Sequence, residues 1–232
     1  MPAVNFIELI SRTTHIPLVL VSTWIVMGLL VGFALIARRS IDRAADPILP
    51  EDHVGIRSIS EVLVGWLDSF SHDVIGHGAR EFVGFFGSLF VFILAANFFG
   101  LVPGMEPPTS DSNLTFALAI IAFGFYNYYG FRANGLGYLK SFLGPVLFLA
   151  PLMLPIEVAS HIFRPVSLGI RLFANMFADH TMLGIFTTKI SATRLVVPVI
   201  FYVLGSIVCI VQALIFTVLA MAYVRMAQEE AH

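Results

Sequence analysis

Charge is scarce in this chain of 232 residues: Asp, Glu, Lys and Arg make up 12% of it, 58% is hydrophobic, and the mean hydropathy is +0.89. Soluble domains carry roughly a quarter charged residues, so this composition excludes that class and defines an integral membrane protein. Cysteine is all but absent. With Cys209 alone, inside the last apolar run, an intrachain disulfide and a multi-thiolate metal site are both ruled out, and the thiol is left as a small packing group. A cleaved leader is not expected either. The first apolar run follows Arg12 and His15, exceeds a signal h-region in length and is followed by no small-residue cleavage site, so retention is expected. No HExxH motif accompanies the seven histidines.

Long uncharged runs, by contrast, are abundant, covering 16–37, 82–102, 114–131, 141–156 and 195–224. A spanning helix needs about 20 apolar residues, so five or six helices are expected in one membrane domain. Its segments read as an external N-terminus (1–15), a first span (16–37), a polar linker and surface helix (38–81), two spans with an external loop at 103–113 (82–131), and two last segments at 141–190 and 195–226. Within 55–80, Ile59, Val62, Leu63, Trp66, Leu67 and Phe70 recur at one-sided helical spacing among charges, which predicts an amphipathic helix on the membrane surface. His72, Asp73 and His77 fit its solvated face better than a metal site. The final run is different. Its length as a helix is about 45 Å, against a hydrocarbon core of about 30 Å, so it must tilt, break or protrude. The run before it is longer still, which predicts a pair of long, strongly inclined helices. Pro198 is expected to kink the second, Pro145, Pro151 and Pro155 to disturb the start of the first, and Pro165 and Gly169 to loosen its middle.

Basic residues orient the chain. With the N-terminus outside, cytoplasmic segments hold eight Lys and Arg (Arg38, Arg39, Arg43, Arg57, Arg80, Arg132, Lys140, Arg225) and the outer side three (Arg12, Lys189, Arg194). The N-out, C-in topology follows from this count.

A polar stripe crosses the apolar run that contains Arg171. In a helix at about 100° per residue, Glu157, His161, Arg164, Arg171, Asn175 and Asp179 lie within about 40° of one line, and His180 points away. Gly205, Gln212 and Tyr223 share a face of the last helix, and two facing polar stripes suggest a hydrated path. Mutual satisfaction is the plainer alternative: Glu157 with His161 or Arg164, Asp179 with Arg171 or His180. Arg171 resists it, because an arginine at mid-membrane costs on the order of 3 kcal/mol or more and has no acid at helical spacing closer than Asp179. Its partner is expected on another chain.

These residues carry a resemblance. Pro165-Val-Ser-Leu-Gly-Ile-Arg171-Leu-Phe-Ala-Asn175-Met, Gln212-Ala-Leu-Ile-Phe, Pro108-Thr-Ser-Asp111-Ser-Asn113-Leu-Thr115 and the terminus from Ala222 to His232 look like subunit a of rotary F-type ATP synthases, over most of the chain from about Ser60 onward. Residues 1–55 match in pattern only.

The resemblance implies an all-α membrane fold, with a first span, an amphipathic surface helix, two membrane helices and two long inclined helices clasping a ring of c subunits. It implies a stator with two offset aqueous half-channels, in which Arg171 faces the carboxylate of each passing c subunit. Asn175 and Gln212 would orient the guanidinium. His180, with Asp179, would serve the outer half-channel; Asp111 would stand at its mouth; Glu157 and Ser167 would belong to the inner path, and Tyr223 would take part in proton translocation. The family's usual relay partner for His180 falls at Gly205, which has no side chain, so water or Asp179 is left to substitute. Implied partners are the c-ring, b-type peripheral-stalk subunits, the rest of the complex and the lipid bilayer; no cofactor and no nucleic acid are implied, and the chain performs no covalent chemistry itself. The implied location is a bacterial inner membrane. A secondary transporter lacks support from any internal repeat, and an intramembrane metalloenzyme would have to use His161, Asp179 and His180 without a zinc motif.

Overall fold

The computed structural model describes residues 17–42, 55–76, 78–102, 105–135, 137–138, 150–189 and 196–229. The expectations for the N-terminus 1–15, for Pro145 and for His77 lie outside the described residues. Among those described there are six α-helices and no strand.

Helix α1 (Leu18–Asp42) continues past the uncharged run, so Arg38 and Asp42 face each other across its last turn at 3.9 Å. It buries little beyond Val21, Ser22, Val26 and Ala37, and Trp24, Leu29 and Leu35 are exposed, as a helix bathed in lipid requires. Helix α2 (Ile56–Ile75) is amphipathic in a particular sense. Arg57, Ser60, Leu67, Ser71 and Ile75 face inward, whereas Ile59, Val62 and Trp66 face out, with Trp66 stacked on Phe70 at 5.1 Å. Gly76 ends it at φ +83, a left-handed conformation suited to glycine, and its N–H returns to the His72 carbonyl.

Helices α3 (Arg80–Phe99) and α4 (Ser112–Asn134) pack through aromatic rings; Phe85 and Phe125 stack at 3.7 Å, and at one end Arg132 pairs with Glu81 at 2.6 Å. Between them a 3₁₀ turn, Pro108–Ser110, tucks inward. Thr109 donates to Asn97 Oδ1 at 2.7 Å, and Asn97 donates to the Cys209 carbonyl at 3.4 Å, which ties the turn to α3 and the last helix. Gly100 is required there, since an added Cβ would meet the Pro107 ring at 2.5 Å.

Helix α5 (Ala150–Lys189) has 40 residues and α6 (Val196–Glu229) has 34, lengths of about 60 and 51 Å that exceed a bilayer core. Pro155 and Pro165 lie inside α5, which remains helical through both. Pro198 is the third residue of α6 as described, and the helix continues on from it. Among the described residues, four helical stretches are long and apolar enough to cross a membrane: Leu18–Asp42, Arg80–Phe99, Ser112–Asn134 and Val199–Gln228. The main core is built from Phe82, Phe86 and Ile93 of α3, Ala122 and Tyr126 of α4, Leu172 of α5, and Ala213, Phe216 and Met221 of α6, while Val21 and Val26 of α1 pack separately on Ala96 and Phe99 of α3. Small residues such as Ala122, Ala213 and Gly169 let these helices approach closely, and packing rather than water exclusion holds helices together in lipid.

Candidate functional site

The polar face of α5 divides at Pro165. In the half before it, the side chains find partners within the chain. His161, 9% exposed, has Nε2 at 2.8 Å from Asn127 Oδ1, an oxygen that can only accept, so Nε2 carries the proton. The Tyr126 hydroxyl lies near both ring nitrogens, 3.2 Å from Nε2 and 3.3 Å from Nδ1, and the unprotonated Nδ1 is the one that can accept from it. Tyr138 donates to the same Asn127 oxygen at 3.1 Å. Arg164 lies 4.0 Å from Glu157, and its guanidinium sits 5.5 Å over the Tyr223 ring, so one cation makes both an ion pair and a cation–π contact. Of the two partners considered for Glu157, Arg164 is the one within ion-pair reach. Ser167 turns its hydroxyl back to the Arg164 carbonyl at 3.0 Å.

Beyond Pro165 the arrangement opens. Arg171 is exposed, and among the described residues no carboxylate lies within ion-pair distance of it. One turn on, Asn175 donates to Gln212 Oε1 at 2.6 Å. Gln212 is 2% exposed, yet its amide nitrogen has no hydrogen-bond partner among the described residues. Leaving such a donor dry would cost about 1–3 kcal/mol, so this position is built for water or an incoming group. Asp179 extends its carboxylate over Gly205, where an added Cβ would lie 2.8 Å from Oδ2. A cavity of about 560 Å³ runs between α5 and α6, walled by Asn175, Asp179, Met182, Leu204, Val208 and Gln212.

Three contacts, Asp179 on Gly205, Asn175 on Gln212 and Arg164 on Tyr223, thus step in antiparallel register along the α5/α6 seam. The two stripes read from the sequence face each other. His180 is half-buried and stands off the cavity wall. Asp111 is not part of the seam: it caps the N-terminus of α4, its Oδ1 accepting from the Asn113 N–H at 2.7 Å. His161, Asp179 and His180 do not converge, and the described residues contain no group of three or more metal-ligating side chains. Sequence reasoning passed over Tyr126, Asn127, Asn97 and Thr109. The asparagines were detectable as amides inside otherwise apolar runs, where an unpaired amide is expensive.

Four helices long and apolar enough to span a membrane among the described residues, with a polar seam between α5 and α6, define a multi-pass membrane protein. Comparison with known sequences narrows the class. The sequence model described as "ATP synthase A chain" matches residues 20–225, and the chain belongs to that family. It is similar to the ATP synthase subunit a of Bdellovibrio bacteriovorus, 43% identical over 203 residues that cover 87% of each chain. It is also similar to the ATP synthase subunit a of Solibacter usitatus, 42% identical over 91% of this chain and 89% of that one, and to the ATP synthase subunit a 1 of Syntrophotalea carbinolica, 37% identical over 90% and 85%. Family membership makes the chain a membrane component of a multisubunit ATP synthase, engaged in ATP synthesis and proton transport.

Proposed function

We propose that the chain is the stator of the proton motor, with two offset aqueous half-channels meeting at Arg171, which faces the carboxylate of each passing c subunit. The observation that carries this reading is the state of Arg171: exposed, without an acidic partner among the described residues, and flanked by a polar pair, Asn175 and Gln212, whose first attachment is to each other. A guanidinium stays charged at any working pH, so it stabilises the ionised form of a carboxylate brought beside it in a medium of low dielectric. Proximity to a fixed cation also opposes a proton hopping directly from one half-channel to the other. A partner carboxylate that pairs with Arg171 only in passing gains attraction without being trapped, because water and the Gln212 amide offer alternative bonds.

The cavity walled by Asn175, Asp179 and Gln212 suits the inlet from the outer side. Asp179, whose carboxylate fills the space over Gly205, takes the place of a relay side chain on α6, and His180 hands protons towards it. Glu157, Ser167 and Tyr223 belong to the outlet on the inner side, and Asp111 holds the mouth-side end of α4 in position. Protons entering by the first path neutralise a ring carboxylate, ride with the ring and leave by the second. The b-type stalk subunits hold this stator against the torque. The basic-residue count supports an N-out, C-in orientation in a bacterial inner membrane, and the relatives compared are bacterial proteins.

Arg171→Ala tests the reading in inverted membrane vesicles. The expected result is loss of ATP-driven proton uptake and of ATP synthesis while the complex still assembles. Wild-type coupling in that variant would sink the assignment.

A further inference from the structure

The paired half of α5 has a weakness that its neighbours correct. Pro165 has no N–H, so the carbonyl of residue 161, four positions earlier, cannot receive the helical hydrogen bond that would join these turns. The residue at that break is His161, whose Nε2 donates to Asn127 at 2.8 Å while the Tyr126 hydroxyl lies 3.3 Å from Nδ1 and 3.2 Å from Nε2. Both partners are on α4. Neighbouring rings close around it, Phe123 at 5.1 Å edge-on and Tyr126 at 5.2 Å. Tyr126 also interacts with Arg164, and Tyr138 holds the Asn127 oxygen from the far side. Six residues beyond Pro165 comes Arg171, whose distance from any passing carboxylate depends on how the second half of α5 leaves this turn.

We propose that His161 is a positioning residue: held by Asn127 and Tyr126, both on α4, it braces α5 against α4 at the turn opened by Pro165 and so fixes the stand-off of Arg171. The inference rests on the stator reading for its functional consequence, though not for the brace itself. Imidazole suits the task because one rigid ring carries both a donor and an acceptor nitrogen, which an aliphatic side chain cannot offer. Below the brace, Gly169 keeps the same two helices in contact: a Cβ added there would lie 3.5 Å from the Ala119 Cβ and 3.0 Å from the Phe116 ring. The two helices are therefore joined on both sides of Pro165, once by hydrogen bonds and once by close packing.

The test uses the assembled complex in inverted vesicles, comparing wild type with His161→Leu, which keeps bulk but neither bond, and His161→Gln, which keeps a donor and an acceptor. ATP-driven proton uptake should fall on the order of fivefold in the leucine variant at an unchanged amount of complex, the size of effect that one buried hydrogen bond has on an equilibrium, and glutamine should restore most of it. A second readout is independent of the motor. A disulfide between Ala119→Cys and Gly169→Cys, whose Cβ separation of 3.5 Å permits one, should form in lower yield with leucine at 161 than with histidine. Leucine equal to wild type in uptake and cross-linking, or glutamine as poor as leucine, would overturn the brace. Wild-type coupling in Arg171→Ala would overturn the stator reading alone, since the cross-link does not depend on it. If the leucine variant fails to assemble, Tyr126→Phe combined with Asn127→Leu takes its place under the same criteria.

Discussion

The two halves of α5 display the same kinds of residue on the same face and treat them differently. Before Pro165, every polar side chain of the stripe is met from within: Glu157 by Arg164, Arg164 also by Tyr223, His161 by Tyr126 and Asn127. After Pro165, Asn175 and Gln212 satisfy only part of each other, Asp179 reaches over a glycine, and Arg171 projects outward. Polar residues in a membrane are costly in either half, so the first half meets that cost with partners inside the chain and the second leaves part of its polarity open for a partner outside it. A stripe of charges is thus not one functional unit.

That contrast orders the expected effects of substitution. Arg171→Ala, in the open half, should abolish ATP-driven proton uptake and ATP synthesis outright, measured in inverted vesicles. Gln212→Leu should come next: it removes the acceptor for Asn175 and the buried donor in the cavity, with uptake falling on the order of tenfold, the scale of a lost polar contact in a dry site. Equal activity would show that the seam needs no amide there. Gly205→Ala adds a carbon 2.8 Å from the Asp179 carboxylate, which must withdraw; slower uptake with normal assembly is expected, and a relieving effect of Asp179→Ala in the same chain would locate the clash. His180→Ala should slow uptake in a pH-dependent way. The measurement is the pH profile of proton uptake in vesicles, wild type against variant. An unchanged profile would return His180 to packing. Smallest of all, Arg164→Gln in the paired half should cost about 1 kcal/mol or less through its 4.0 Å pairing with Glu157 and leave coupling near wild type. An effect as large as that of Arg171→Ala would erase the distinction between the halves.

Composition and run length were enough to read an all-helical membrane fold with an amphipathic second helix and two overlong final helices, because lipid leaves the backbone few options and helix length follows from residue count. Helical arithmetic also put Glu157, Arg164, Asn175 and Asp179 on one side of α5, where their contacts with α6 or with each other now lie. What that arithmetic lacked was distance between helices. It could not choose between His161 and Arg164 as the partner of Glu157, since both sit at helical spacing, and it could not see that α4 supplies Tyr126 and Asn127 to His161. Asp111 has a local explanation, the N-cap of α4, that a motif match had obscured.

Cys209 is 1% exposed, pressed into the core with its carbonyl occupied by Asn97. A sealed thiol reacts slowly with water-borne reagents. The native chain therefore offers a nearly silent background in which a cysteine introduced at any other position reports its own surroundings, so each residue of the α5/α6 seam can be asked in turn whether it meets water from the outer face, the inner face or neither.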